Sequence, residues 1–265
     1  MSSIDIHNHI LPGLDDGPRS MSESLLLARA LVASGFSTVV ATPHSMEGRP
    51  TPSLILERLR VMQEELARQE IPLVVLPGSE PHIDPNLDER LRRGETLTLN
   101  NSSYILLELP FAQPLPVYTE ELLFRLSIDG YRPIIPHPER TAALAREPQL
   151  LHRLHRAGAI FQVTWVAFSG HLGPDAEKLA RYMLEANLVH LLATDAHNPG
   201  TRLRELRKAV EAVEEHSGKE AARTYLTGRP AAVIAGRPLD LPPAEEFPDR
   251  TEGRFSFLNF FRRKG

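Results

Sequence analysis

His7 and His9 stand two residues apart in the opening run Asp5-Ile-His-Asn-His-Ile-Leu-Pro-Gly-Leu-Asp-Asp-Gly-Pro18. On a β-strand, side chains alternate between faces, so both imidazoles point the same way. Ile4, Ile6 and Ile10 are the apolar partners of a buried first strand, Pro12 and Gly13 break it, and the carboxylates Asp15 and Asp16 follow in a turn-prone segment. Two same-face nitrogen ligands with carboxylates close behind them are the start of a metal site. Taken alone, the run also reads as a strand with two incidental histidines and an acidic turn.

The same residue types recur at the ends of other apolar runs. Thr42-Pro43-His44 ends one, Pro77-Gly78-Ser79-Glu80 another, and Glu108 sits inside Tyr104-Ile-Leu-Leu-Glu-Leu109. Pro136-His137-Pro138-Glu139-Arg140 and Thr194-Asp195-Ala196-His197-Asn198 end two more. A carboxylate inside an apolar run is costly to bury unless paired or bound to a cation. Asp195 and His197 repeat the two-residue spacing of His7 and His9. For one residue a satisfied core histidine or a capped turn is an adequate explanation; for a whole series at equivalent ends it is not. Five histidines and about four carboxylates are too many for one ion, and oxygen and nitrogen ligands without sulfur suit manganese, iron or zinc in a cluster of two or three. Such clusters activate hydroxide and hold an oxyanion for in-line displacement. Arg140 falls beside them, where a guanidinium can take phosphate oxygens bidentately, and Arg202 is a second candidate. His82 and His171 fall in strand-end loops that could line the pocket, His190 lies before the functional end of its strand, His216 is near a helix end, and His152 and His155 are expected on a solvated helix face.

The elements that must hold these groups follow from periodicity. Strands are expected at residues 4–10, 37–42, 73–77, 104–109, 132–136, 159–164 and 188–194. Helices are expected from Ser20 or Ser22 to about residue 34, and over 54–69, 117–129, 149–157, 174–186, 201–215 and 219–226. Seven strands separated by helices imply parallel pairing, because each crossover needs a helix. An open doubly wound sheet is compatible with that order. A closed, irregular barrel fits better, since barrels gather their functional groups at the C-terminal strand ends.

The 265 residues suit one large domain or two small ones, and 42% hydrophobic residues can bury a substantial core. A net charge of −4 argues against a global nucleic-acid-binding surface. Without cysteine there are no disulfides, thiolate metal sites or cysteine nucleophiles. No apolar run reaches transmembrane length and no signal-peptide pattern precedes the first strand, so a cytoplasmic location is expected.

In this order and spacing, DIHNHILPGLDDGP, ATPH, PGSE, LLELP, HPER and TDAHN resemble the PHP (polymerase and histidinol phosphatase) superfamily. More narrowly, they resemble its bacterial protein-tyrosine phosphatases of capsule and exopolysaccharide gene clusters, over about residues 3–235. The resemblance implies an α/β fold, a distorted (β/α)7 TIM-like barrel, with a usually manganese trinuclear site. Carried over, His7, His9, Glu80 and Asp195 hold one ion; Glu80 bridges to a second completed by Glu108 and His137; and Asp16, His44 and His197 hold the third. The DDG pattern selects Asp16 over Asp15, and HPER identifies Arg140 as a phosphate contact. The second arginine falls in Asn198-Pro-Gly-Thr-Arg-Leu-Arg-Glu205, as Arg202 or Arg204. The implied reaction is in-line attack of a metal-bridging hydroxide on phosphotyrosine, with no phosphoenzyme, and His171 or a metal-bound water as the proton source for the leaving group. The implied partner is a phosphotyrosine protein, an autophosphorylated kinase of the polysaccharide machinery at the inner membrane face.

From about Gly236 the composition turns Pro-rich and acidic, then ends in Phe255-Ser-Phe-Leu-Asn-Phe-Phe-Arg-Arg-Lys264. Residues 236–265 are read as a tail to a phosphoesterase domain at 1–235. Its aromatic and basic end is a weak membrane anchor, a segment packed on a neighbouring subunit in a homo-oligomer, or a disordered end. Two other functions share these features: a small-molecule phosphatase of histidinol-phosphate or nucleotide type with the same metals, and a non-catalytic metal-binding scaffold. The second is disfavoured because every expected ligand position is filled.

Overall fold

The structure, a computed structural model, describes residues 3–47 and 49–245. Among the described residues the strands are β1 (Ser3–Asn8), β2 (Phe36–Ala41), β3 (His44–Ser45), β4 (Val74–Pro77), β5 (Glu80–Pro81), β6 (Tyr104–Leu106), β7 (Arg132–Pro136), β8 (Ile160–Thr164) and β9 (Leu191–Ala193). They pair in parallel as β1-β2-β4, β3-β5 and β6-β7-β8-β9, with Asn8 beside Ala41, His44 beside Glu80 and Gln162 beside Leu191. The chain is a parallel α/β fold.

Pro43 has no N–H to offer a ladder, so β2 stops at Ala41 and pairing resumes in β3. Past Leu106 the chain changes partner. Leu107 N–H still donates to Ile134 O at 2.8 Å, but Glu108 N–H donates to Pro81 O and Ile83 N–H to Glu108 O, both at 2.9 Å. A second seam runs from β1 to the segment after β9, where His9 N–H donates to Ala196 O and Asp195 N–H to His7 O, both at 3.0 Å. Both seams lie at the C-terminal ends of the strands.

The helices are α1 (Met21–Ala33), α2 (Pro52–Arg68), α3 (Leu87–Arg92), α4 (Thr119–Ile128), α5 (Ala142–Arg146), α6 (Gln149–Arg156), α7 (Pro174–Glu185), α8 (Thr201–Arg204), α9 (Leu206–Ser217), α10 (Lys219–Arg223) and α11 (Arg229–Ile234). The first two start on side-chain caps. Ser20 accepts from Glu23 N–H while the Glu23 carboxylate accepts from Arg19 N–H, and Thr51 caps α2 ahead of Pro52. Leu27 and Leu31 of α1, Ile55 and Met62 of α2, Leu122 and Leu126 of α4, and Leu179 and Met183 of α7 pack with Val39, Val75, Ile135 and Phe161 of the strands. A separate buried cluster joins Ile6 and Val40 of the first ladder to Leu106, Ile134 and Leu191 of the last. The sheets therefore face one another across an apolar layer, with the polar strand ends above it.

Several expectations shift. The helix expected over 201–215 divides at Glu205, where ψ opens to −5°. The strand expected over 188–194 shortens because Leu188 N–H closes back on Met183 O at the end of α7. His152 is buried, its Nε2 3.0 Å from the Tyr182 hydroxyl, where a solvated ring was expected, because α6 turns that side toward α7. Residues 236–245 lie along the body: Tyr104 Oη donates to Arg237 O at 2.7 Å and Glu245 N–H to Ala186 O at 2.9 Å. The aromatic and basic end at 255–264 is outside the described residues. Among the described residues no helix is long and apolar enough to cross a membrane.

Candidate metal centre

The nine ligand-type residues meet at the C-terminal end of the strands. His7 is in β1 and His9 just past it, and their Nε2 atoms lie 3.2 Å apart. Each ring is oriented by its other nitrogen. His7 Nδ1–H donates to Gln162 Oε1 of β8 at 2.7 Å, and His9 Nδ1–H to Asp15 Oδ2 at 2.7 Å. Fixing Nδ1–H in this way leaves both Nε2 lone pairs facing the centre, as ligating histidines require. Asp15 is itself held, accepting from Gly17 N–H and His44 N–H at 3.0 Å each. Gly17 has to be glycine: a Cβ there would lie 2.4 Å from His9 O.

Glu80 is fully buried at the middle of the cluster. Its Oε2 is 3.2 Å from His7 Nε2, 3.3 Å from His9 Nε2 and 2.9 Å from His44 Nδ1, while Oε1 is 2.9 Å from His137 Nε2. Glu108 lies 3.4 Å from His44 Nδ1 and 3.9 Å from His137 Nε2. Asp195 Oδ1 is 3.4 Å from each of His7 and His9. Exposed Asp16 reaches His197 Nε2 at 3.0 Å and His44 Nε2 at 3.6 Å. His137 and Asp195 have left-handed backbone, φ 36° and 51°, a costly conformation for residues with side chains that tends to cluster at functional sites. The Asp195 turn is braced from below, with buried Asp5 accepting from Thr194 N–H at 2.9 Å and from its hydroxyl at 2.5 Å. Asp195 and His197 thus converge through a turn rather than through the strand alternation expected for them.

The electrostatics are those of a cage short of positive charge. Burial opposes a proton on His44, yet the Glu108 and Glu80 carboxylates beside its Nδ1 push it up to about 10. Burial likewise opposes a charge on His9, and Asp15, Asp195 and Glu80 outweigh it, holding the ring well above the ordinary value. Burial would raise Glu80, but His7, His137 and His44 hold it well below the usual carboxylate range. Asp195 is lowered in the same way, against burial, by His7, His9 and Arg202. By contrast, burial and the neighbouring His9 take His197 down to about 4, the neutral form a ligand needs. Buried His44 Nδ1, Glu80 Oε2 and His137 Nδ1 have no aligned hydrogen-bond partner. One oxygen facing three imidazole nitrogens within 3.3 Å is the geometry of ligands sharing a cation, and cations entering would replace the protons. The residues fit a polynuclear metal group. Four sets have ligand atoms mutually within 4.8 Å: His9, Asp16, His44 and His197; His7, Glu80 and His137; His7, His9 and Asp195; and His44, Glu80 and Glu108.

A cavity of about 430 Å³ opens above these groups. Arg140 and Arg202 both line it and both grip Asp195 Oδ2, with Nη1 at 3.1 and 2.7 Å. Arg204, the alternative to Arg202, instead donates to Thr201 Oγ1 on the exposed side of α8. His171 lines the cavity, whereas His82 is not among its lining residues. Three participants have roles that sequence reasoning did not give them. Asp15 orients a ligand, Gln162 does the same, and Phe111 forms part of the cavity wall, 5.1 Å from the His137 ring. For Asp15 the signal was a carboxylate in the turn after β1, for Gln162 a polar residue within an apolar strand, and for Phe111 an aromatic directly after LLELP.

Comparison with known proteins gives the chain's family. The family model for capsular polysaccharide synthesis, CpsB/CapC, matches residues 3–235. The tyrosine-protein phosphatase YwqE of Bacillus subtilis (strain 168) is 38% identical over 219 residues, 82% of this chain and 86% of that protein. The tyrosine-protein phosphatase CpsB of Streptococcus pneumoniae is 30% identical over 239 residues, 87% of this chain and 98% of that one. A chain from the crystal structures of YwqE and CpsB, metal-dependent tyrosine phosphatases, superposes with a TM-score of 0.88 at 35% identity, covering 93% of this chain and 100% of that one. A histidinol phosphate phosphatase from Lactococcus lactis shares the fold at 14% identity, with a TM-score of 0.51 over 82% of this chain and 94% of its own. With nearly its whole described length matched, this chain belongs to the CpsB/CapC family of capsular polysaccharide synthesis.

Proposed function

We propose that this chain is a metal-dependent protein-tyrosine phosphatase, a phosphoric monoester hydrolase acting on the phosphotyrosine of a bacterial tyrosine kinase in capsular or exopolysaccharide synthesis. The observation that carries the reading is the convergence of nine ligand side chains beneath a cavity walled by two arginines, in a family whose relatives are named tyrosine-protein phosphatases.

In this reading His7, His9, Glu80 and Asp195 would hold one ion, Glu80 with Glu108 and His137 would hold a second, and Asp16, His44 and His197 would hold a third. Mutual approach within 4.8 Å supports the trios His7–His9–Asp195 and Asp16–His44–His197, and the 2.9 Å contact of His137 with Glu80 supports the second set. Manganese suits the nitrogen and oxygen donors, with iron or zinc as substitutes and two or three ions in all. When bound, the ions supply Lewis acidity that activates water and neutralises phosphate charge. Arg140 and Arg202 donate to the phosphate oxygens, and their shared acceptor Asp195 orients both before substrate arrives. His171, on the cavity wall, offers a ring proton to the departing phenolate oxygen. A phenolate whose conjugate acid has a pKa near 10 needs little such help.

The seams at Asn8–Ala196 and His82–Glu108 support a sheet closed as a distorted (β/α)7 barrel, and the cluster joining the facing ladders supports the same closure. The family match at 3–235 supports one phosphoesterase domain followed by a C-terminal segment. We assign the protein to the cytoplasm, where such a kinase presents its tyrosines at the inner membrane face, with the C-terminal segment as a weak membrane or partner contact.

The test is phosphate release from a phosphotyrosine peptide, a phosphoserine peptide and histidinol phosphate by manganese-loaded protein, with His44→Ala and Arg140→Ala as controls. Preference for phosphotyrosine, lost in both variants, supports the reading. Preference for histidinol phosphate moves the protein to the small-molecule branch, and no turnover despite bound metal makes it a scaffold.

A further inference from the structure

The cavity is polar on almost every side. Among the described residues that line it, Phe111 alone has a side chain of carbon and hydrogen only. It follows LLELP directly, so the chain segment that sets Glu108 at the metal centre also sets Phe111 at its rim. Buried Leu109 anchors one side of the segment, and Ala142 N–H, donating to Phe111 O at 2.7 Å, fixes the other. The ring lies 5.1 Å from that of His137, and the Arg140 guanidinium carbon is 4.4 Å from its centroid. It remains 36% exposed, high for a phenylalanine in contact with two site residues.

A phosphate seated between the ligands and Arg140 for in-line attack would turn its ester oxygen toward the open cavity, so an aryl group on that oxygen would extend into it. Its faces need apolar cover, and an offset or edge-to-face contact with another ring provides it. We propose that Phe111 is the wall on which the phenyl ring of an aryl phosphate monoester packs, and that it sets the preference for aryl over alkyl phosphates. The inference rests on the phosphatase reading above and adds the residue that recognises the leaving group. Phe111 also stacks on Arg140, a cation–π contact that could by itself account for the ring. The two roles differ in what they do to a ligand without an aryl group.

The experiment is steady-state kinetics of the manganese-loaded full chain carrying Phe111→Ala, Phe111→Leu or Phe111→Tyr, with inorganic phosphate as a competitive inhibitor. The expected result is a KM for phosphotyrosine peptide raised about tenfold in Phe111→Ala and less in Phe111→Leu, with kcat changed less than twofold, the pattern of a lost ground-state contact. Phe111→Tyr restores the KM, and the inhibition constant of phosphate stays within twofold throughout. A phosphate constant that rises in parallel with KM overturns the inference, because Phe111 then only props Arg140. An unchanged KM in folded Phe111→Ala overturns it as well; should that variant not fold, an unchanged KM in Phe111→Leu does the same. A wild-type protein that releases no phosphate from phosphotyrosine removes the underlying reading instead, a distinct outcome.

Discussion

Replacing Asp15, which sits one residue before a proposed ligand and is not one itself, separates orientation of the centre from ligation. Its carboxylate accepts three hydrogen bonds: from His9 Nδ1 at 2.7 Å, His44 N at 3.0 Å and Gly17 N at 3.0 Å. Asp15→Ala removes the group that points His9 Nε2 inward, and losses of such outer partners cost about 10–100-fold in metal affinity. That range corresponds to about 1.4–2.8 kcal/mol. The same change strips the backbone N–H of His44 of its acceptor, a further cost of about 1–3 kcal/mol to the fold. Asp15→Asn keeps an acceptor oxygen for His9 and is expected between wild type and alanine. The assay is activity against buffered free manganese, with metal content measured in parallel. Asp15→Ala should move the midpoint about 10–100-fold upward while excess manganese restores the bound ions and most of the turnover. Asp16→Ala, which removes a ligand, should instead lower the number of ions bound at saturation. If both Asp15 variants lose thermal stability but keep the wild-type midpoint within twofold, the orienting role is wrong and Asp15 only ties the turn.

Three further outcomes follow from particular contacts. Arg140→Ala should lower kcat/KM for a phosphotyrosine peptide by about 100-fold or more, and Arg140→Lys should recover only part of it, because a point charge cannot reproduce a planar fork; steady-state rates decide. Gly17→Ala should cost about 1–3 kcal/mol of stability and weaken metal binding, since its Cβ would meet His9 O at 2.4 Å, as thermal melts and metal titration will record. His190 accepts from Phe161 N–H and packs 4.8 Å from the His155 ring, with Arg229 on its carbonyl; burial first, then its His155 and Arg229 neighbours, take it down to about 3. Because the folded value lies below the unfolded one, its share of stability is complete above about pH 6.5 and is lost as pH falls toward 3, at up to about 1.4 kcal/mol per unit. His190→Asn, which keeps an acceptor for Phe161 N–H, should flatten that difference in denaturant titrations between about pH 7 and 4; an unaltered slope would contradict the assignment.

How much of this was legible in the sequence depended on whether a residue's type or its backbone carried the information. The strand ends were readable because histidines and carboxylates interrupt apolar runs at fixed places, and His7, His44, Glu80, Glu108 and Asp195 meet where those ends meet. Arg202 was readable only as one of two arginines, since whether it or Arg204 faces the cavity depends on the phase of a single turn of α8. The left-handed turns at His137 and Asp195 left no local trace, because neither carries the glycine that usually marks them. The division of labour between Asp15 and Asp16 was hidden for a similar reason: adjacent residues in a turn diverge, so one reaches inward to His9 and the other outward to His197. His152 was misread because no periodicity says which flank of its helix α7 will cover. The positions of the seams between ladders were invisible too, each being made by two backbone hydrogen bonds to a segment just past a strand.

The central claim is that catalysis belongs to a polynuclear centre built from these nine side chains. Chelator-stripped protein titrated with manganese, with bound metal and phosphotyrosine hydrolysis recorded in the same samples, tests it most directly. The expected result is no turnover in the stripped protein and activity that rises as two or three ions per chain are taken up. Turnover without metal, or saturation at a single ion, would contradict it.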